Sequence, residues 1–168
     1  MTLSSFEAIV RALNAAGVPF LIVDGLAVNA HGYGRQTADV DLVIRLDPAV
    51  IANAFRALET VGHHPRVPVA ATDLADGARR AQLATEKGMT VLGFHSDAHR
   101  ETPIDIFVTE PFDFETEYAR ALVEEVAPGV PVRIVQLDTL LRLKRAAGRP
   151  QDLADIAELG LLHGDADG

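Results

Sequence analysis

The sequence predicts an α/β (α+β) fold, and three observations carry that expectation. Short apolar runs of strand length, Phe20 to Val23 and Asp39 to Ile44, stand early in the chain. Longer segments with helical spacing lie between and after them. The C-terminus ends in two helical stretches parted by Gly148-Arg149-Pro150, where glycine stops one helix and proline restarts the next. Strands interspersed with helices and closed by a helical end read as α/β or α+β. The 168 residues suit one domain over 1–168. A core of sheet and helices is expected in 1–135 and closing helices in 136–162.

The elements follow in order. Ser4 and Ser5 can cap a helix over Phe6 to Ala16, with Phe6, Ile9, Val10 and Leu13 on one face. Gly17 ends it. Phe20 to Val23 reads as a buried strand, Asp24-Gly25 as a turn, and Leu26 to His31 as a short helix. Gly32-Tyr33-Gly34 is a flexible connection to the strand Asp39 to Ile44. Asp47-Pro48 opens a helix running to about Val61, with proline in the first turn. Pro65 to Asp76 is irregular, and Ala78 to Glu86 is helix-like. Met89 to His95 and Pro103 to Val108 are strands around a polar loop, Ser96 to Thr102. Phe112 to Tyr118 is a helical turn and Val132 to Val135 the last strand. Leu137 to Ala147 and Leu153 to Leu162 are the closing helices, and the tail from His163 to Gly168 is expected to fray.

Nearly half the residues are apolar, a globular composition. No run approaches a membrane span, so no membrane partner is expected. The N-terminus lacks a basic stretch followed by an apolar one, so no signal peptide is expected. There is no cysteine, which removes disulfides, thiolate metal sites and a cysteine nucleophile. A cytoplasmic protein fits these features. The formal charge of −9 opposes broad nucleic-acid binding, which needs phosphates neutralised by Lys and Arg. A local basic patch or bound metal would still admit an RNA substrate. Lys87 and Lys144 are the only lysines.

Asp39 and Asp41 are two residues apart on a strand, so their side chains share a face. Their Cα atoms should lie about 6.5 Å apart, with Val40, Leu42 and Ile44 on the other, core face. Crowded carboxylates are costly without a cation. All-oxygen donors select Mg²⁺ or Mn²⁺. Asp105, inside Pro103 to Val108, is a third acid in an apolar strand. If that strand pairs beside Asp39–Ile44, three carboxylates converge, enough for a two-metal phosphoryl-transfer site. Taken singly, each acid also suits a solvated strand face.

Val23-Asp24-Gly25, thirteen further residues and Asp39-Val40-Asp41-Leu42 resemble the signature of the DNA-polymerase-beta-like nucleotidyltransferase superfamily. Asp105 stands where that pattern has its third acid. Leu26 to Tyr33, Arg35-x-Thr37-x-Asp39, and Leu140 to Ile156 with Lys144, Asp152 and Asp155 are similar to small bacterial AbiEii-type nucleotidyltransferases. The resemblance covers most of the chain. It implies a nucleotidyltransferase-like mixed β-sheet flanked by helices. It also implies Mg²⁺-dependent transfer of NMP from an NTP to a hydroxyl of RNA (tRNA), a protein or a small molecule. A toxin role with a cognate antitoxin as partner is implied as well.

On that resemblance Asp39, Asp41 and Asp105 bind metal and catalyse. Gly25 lets the backbone cradle phosphate. Arg35 grips phosphate, Thr37 orders the loop and Lys144 contacts the triphosphate. Asp24 departs from the pattern, which has glycine there. It either caps the following helix, joins the metal cluster, or cripples nucleotide binding and leaves a catalytically impaired binding module. The competing reading of Lys144 is a solvated helical lysine, and that of Arg35 a surface residue. Asp152 and Asp155 suit a helix dipole or a pair with Arg149. His31 reads as a hydrogen-bonded structural residue. His63-His64 and His95-x-x-x-His99 lack a fitting third ligand for zinc.

Overall fold

The computed structural model describes residues 1–164. Of the tail expected to fray, residues 165–168 lie outside the described residues. Helix α1 (Leu3–Ala15) is capped by Thr2, whose hydroxyl accepts from the Ser5 amide at 3.2 Å. Ser4 and Ser5, the expected caps, lie inside the helix. Phe6, Ile9, Val10 and Leu13 are all buried. β1 (Phe20–Val23) is buried throughout. α2 (Asp24–Ala30) follows it with no intervening turn, so Asp24-Gly25 is the first turn of a helix rather than a loop. β2 (Val40–Ile44) then precedes α3 (Pro48–Thr60), capped by Asp47.

The stretch expected to be irregular, Pro65 to Asp76, begins with the end of β3 (His64–Pro65) and holds α4 (Ala71–Ala75). α5 (Gly77–Glu86), β4 (Val91–His95) and β5 (Ile104–Phe107) come next. α6 (Phe114–Arg120) is two turns long rather than one. β6 (Leu122–Ala127) was not expected, because its Leu-Val-Glu-Glu-Val-Ala run is largely exposed and carries two charges. Its hairpin partner β7 (Val130–Ile134) lies across Pro128-Gly129, a turn dipeptide that signals the hairpin. α7 (Leu137–Ala147) ends at Gly148 in the left-handed region, φ 62°. α8 (Pro150–His163) starts three residues earlier than expected, with Pro150 in its first turn.

The strands form one seven-stranded mixed sheet in the order β3-β4-β5-β2-β1-β7-β6. β1 runs antiparallel to β2 and parallel to β7, and β2 runs parallel to β5. One face carries a row of buried aliphatics, Ile22, Leu42, Ile106 and Leu92, each at most 1% exposed. Each such side chain contributes roughly 1.5–3 kcal/mol by burial. α1 packs on α3, α3 on α4, α2 against β1, β2 and α7, and α7 on α8. No helix among the described residues is long and apolar enough to cross a membrane.

Candidate active site

The register of the sheet brings two acids face to face. Asp41 of β2 stands opposite Asp105 of the parallel strand β5, and opposite Val23 of β1 on its other side. Residues directly opposite in neighbouring strands share a face. Asp39 immediately precedes β2 and shares the face of Asp41. Val40 and Leu42 are fully buried on the opposite face, so the strand has no alternative orientation. Asp39 and Asp41 border an open cleft.

Burial, then Asp24, Asp105 and Asp39, push the Asp41 carboxyl up to about 8. Asp105 is also raised, by burial and then by Asp39, with Arg66 pulling the other way. These carboxylates repel one another in a half-buried setting, and a cation would relieve that repulsion. The donor set is all oxygen, which fits Mg²⁺ or Mn²⁺. The tightest acidic group among the described residues lies elsewhere, with the oxygens of Asp24, Asp152 and Asp155 within 4.8 Å of one another. That group already holds a cation. Lys144 Nζ lies 2.6 Å from Asp24, 3.0 Å from Asp152 and 2.8 Å from Asp155.

Lys144 is therefore neither solvated nor free, for its side chain is 3% exposed. Burial works against its ammonium, but the hydrogen bonds it donates to Asp155 and Asp24 outweigh that and raise its pKa. Asp155 also accepts two hydrogen bonds from Arg35, at 2.7 and 2.8 Å. Despite its burial, Arg35 and then Lys144 hold its carboxyl down at about 2. Arg149 pairs with Asp152 at 2.6 Å and with Asp24 at 3.3 Å. So Asp152 and Asp155 do more than face a helix dipole. They tie α8 to α7 and to the loop before β2.

Asp24 ends in this network and not at a helix cap. Its backbone has φ 58°, the one positive value at a non-glycine residue among those described. Gly25 beside it is constrained by contact. A Cβ there would come within 2.3 Å of Thr37 Oγ1 and 3.5 Å of the Arg35 guanidinium. The space above Gly25 is thus filled by the Arg35–Thr37 segment, which fixes that segment close to the first turn of α2.

A cleft of about 210 Å³ runs from Gly25 and Thr37 to Asp39 and Asp41, bounded by Arg149 and Gln151. An apolar cavity of about 290 Å³ adjoins it at Asp24, Arg149 and Asp152, walled by Phe107, Leu140, Leu143 and Ala147. A larger open depression of about 600 Å³, beside Asn14, Tyr118 and Pro131, has no carboxylate in its lining and lies away from this chemistry.

His31 and His63 serve structure. His31 Nε2 donates to the Val135 carbonyl at 2.8 Å. His63 is buried, donates to the Thr102 carbonyl at 3.0 Å and stacks on His99. No histidine joins a group with metal-ligand spacing among the described residues. One residue near the acids escaped the sequence reading. Arg66 lies against Gly93, which faces Asp105 across β4 and β5. A lone glycine inside an apolar strand was the available signal for such a close approach.

No protein-family model and no curated protein matches the sequence. Solved structures do match the fold. The antibiotic-resistance factor ANT(2'')-Ia in solution superposes with a TM-score of 0.60 at 14% identity, over 96% of this chain and 84% of that one. ANT(2'')-Ia in complex with adenylyl-2''-tobramycin gives 0.58 at 14% identity, over 96% and 89%. The chain has the nucleotidyltransferase fold.

Proposed function

We propose that this protein is a divalent-metal-dependent nucleotidyltransferase that moves a nucleoside monophosphate from an NTP to a hydroxyl. The observation that carries the proposal is the register pairing of Asp41 with Asp105 on neighbouring strands, with Asp39 alongside and Asp39 and Asp41 lining a cleft. Asp39, Asp41 and Asp105 would hold Mg²⁺ or Mn²⁺, which supplies charge neutralisation and polarises the phosphate and the attacking hydroxyl. The acceptor oxygen bonds to the α-phosphorus as the bridge to the β-phosphate breaks. Pyrophosphate leaves with the electron pair, and Asp105 accepts the hydroxyl proton. The cleft beside Gly25 and Thr37 holds the phosphates, and the apolar cavity against Phe107 and Leu140 takes the base. Arg35 acts here by fixing the loop through Asp155. Lys144 and Arg149 reach phosphate when Asp24 yields them.

The complex of a structural neighbour with adenylyl-2''-tobramycin supports transfer to a small-molecule hydroxyl. The resemblance of Leu26–Tyr33 and Leu140–Ile156 to AbiEii-type proteins supports a toxin-type role with a tRNA or protein acceptor and a cognate antitoxin. A second reading has its own observation. Asp24 places a carboxylate on Lys144 and Arg149, where an anionic nucleotide would otherwise be paired. On that reading the chain binds nucleotide or a partner without turnover.

The test is label transfer. The protein is incubated with Mg²⁺ and each α-³²P-labelled NTP, with a bacterial extract as acceptor pool and Asp105→Asn as control. Label that appears in an RNA, protein or small-molecule fraction and vanishes with Asp105→Asn is the expected result. A folded protein that transfers no label from any NTP overturns the enzyme and leaves the binding module.

A further inference from the structure

Across the sheet, Val23, Asp41, Asp105 and Gly93 stand in one register row. Arg66 extends it, its amide donating to the Gly93 carbonyl at 2.8 Å. The residues of such a row share a face, so the Arg66 side chain is on the side of the two acids. Gly93 makes room for it. A Cβ at Gly93 would lie 3.1 Å from Arg66 Cδ, 3.5 Å from its Nε and 3.3 Å from Asp105 Oδ1. The arginine stem and the Asp105 carboxylate therefore converge over bare backbone.

Arg66 nevertheless forms no ion pair within 4.0 Å and no side-chain hydrogen bond among the described residues, and it is exposed. The cations on the other side of the acids differ. Arg35, Lys144 and Arg149 are all engaged by Asp155, Asp24 or Asp152. Arg66 is thus a cation beside the reacting centre with its donor fork unspent, a shape matched to phosphate.

Its side of the row matters. In a phosphoryl transfer the attacking and leaving oxygens are roughly in line. The cleft of Gly25, Thr37 and Asp39 takes the leaving triphosphate. The acceptor hydroxyl then arrives over Asp105 from the β4 side, and the groups flanking that hydroxyl meet Arg66. Resting on the nucleotidyltransferase reading, we propose that Arg66 is the acceptor-side anion contact and that the acceptor carries a phosphate close to the hydroxyl it offers. With a chain charge of −9, this single contact suits a short phosphate-bearing footprint, a sugar phosphate or an RNA 3′ end.

The experiment compares three acceptors in the label-transfer assay: a short RNA with a free 3′ hydroxyl, ribose 5-phosphate, and a cationic amino sugar. Wild type, Arg66→Ala and Arg66→Lys are each measured for acceptor KM, NTP KM and kcat, with thermal melts to confirm folding. The expected result is labelling of RNA or sugar phosphate in preference to the amino sugar. Arg66→Ala raises that acceptor's KM about 10–100-fold, as a lost charge-assisted bond does. The NTP KM stays within about twofold, and Arg66→Lys recovers part of the loss. Whichever phosphate acceptor is used names the source. Preference for the amino sugar, or a fall in kcat alike for all acceptors at unchanged KM, overturns the proposal alone. No transfer by wild type to any of the three acceptors, while label still enters the bacterial extract, overturns this proposal alone; no transfer to the extract either overturns the nucleotidyltransferase reading and this one with it.

Discussion

Asp24 holds a left-handed backbone, φ 58°, at the first position of α2. Such a conformation costs a non-glycine residue on the order of 1 kcal/mol. Its carboxylate is held by Lys144 and Arg149 and adds to the repulsion that raises Asp41. Asp24→Gly removes the backbone cost and the extra negative charge, and returns one of three partners on Lys144 and one of two on Arg149. The expected outcome is NTP affinity in the presence of Mg²⁺ tighter by several-fold, measured by titration calorimetry. Weaker binding would make Asp24 a part of the nucleotide or cation site instead. The acids, Gly25, Asp24 and Lys144 were all visible in the sequence as residue types at telling positions. Their partners were not. Lys144 meets Asp24 across 120 residues, a relation no local pattern encodes.

α7 and α8 form an ion-paired clamp whose local design follows ordinary rules. Gly148 turns the chain out of α7 and Pro150 starts α8. Lys144 on α7 then faces Asp152 and Asp155 on α8, which are 1% and 0% exposed. Removing the lysine leaves two buried carboxylates short of their cation, a loss of about 3–5 kcal/mol. Lys144→Ala should therefore lower the midpoint of urea unfolding sharply, while Arg145→Ala on the exposed face should leave it within about 0.5 kcal/mol. An equal effect of the two would show that the clamp carries no stability. Among the strands, β1 and β2 were legible because apolar runs bury both faces. β6 was not, because an edge strand carries charges such as Glu124 and Glu125 that protect against pairing with another chain and blur the apolar pattern.

The protein's stability should carry the imprint of its acids. Asp41 has a folded pKa near 8 against an ordinary 3.8, so the folded state binds its proton more tightly. The resulting stability is complete below about pH 4 and is lost as pH rises to about 8. Asp105 shifts in the same direction, and buried His63, pushed below its ordinary value, opposes it as pH falls through the range near 6.5. Asp152 and Asp155 are lowered, so their contribution disappears only in stronger acid. Asp41→Asn isolates the one group. Its unfolding temperature should exceed that of wild type at pH 8, by about 2–4 °C for each kcal/mol gained, and the gap should close toward pH 5. A gap independent of pH would show that Asp41 is ionised throughout. The same variant should lose nucleotidyl transfer.

Chain order alone established the residue types, most of the elements and the alternation that turns Asp39 and Asp41 to one face, because strand and helix periods are local. The resemblance of the Gly25, Asp39 and Asp41 pattern to a known signature implied the nucleotidyltransferase fold. The folded chain was needed to put β5 beside β2, so that Asp105 stands opposite Asp41, and to bring Arg66 over Gly93. It also turned Lys144 inward to Asp24, Asp152 and Asp155. Those relations depend on sheet order and on which helix covers which strand. Both are settled by burying the apolar faces of distant segments together, which no short window of sequence contains.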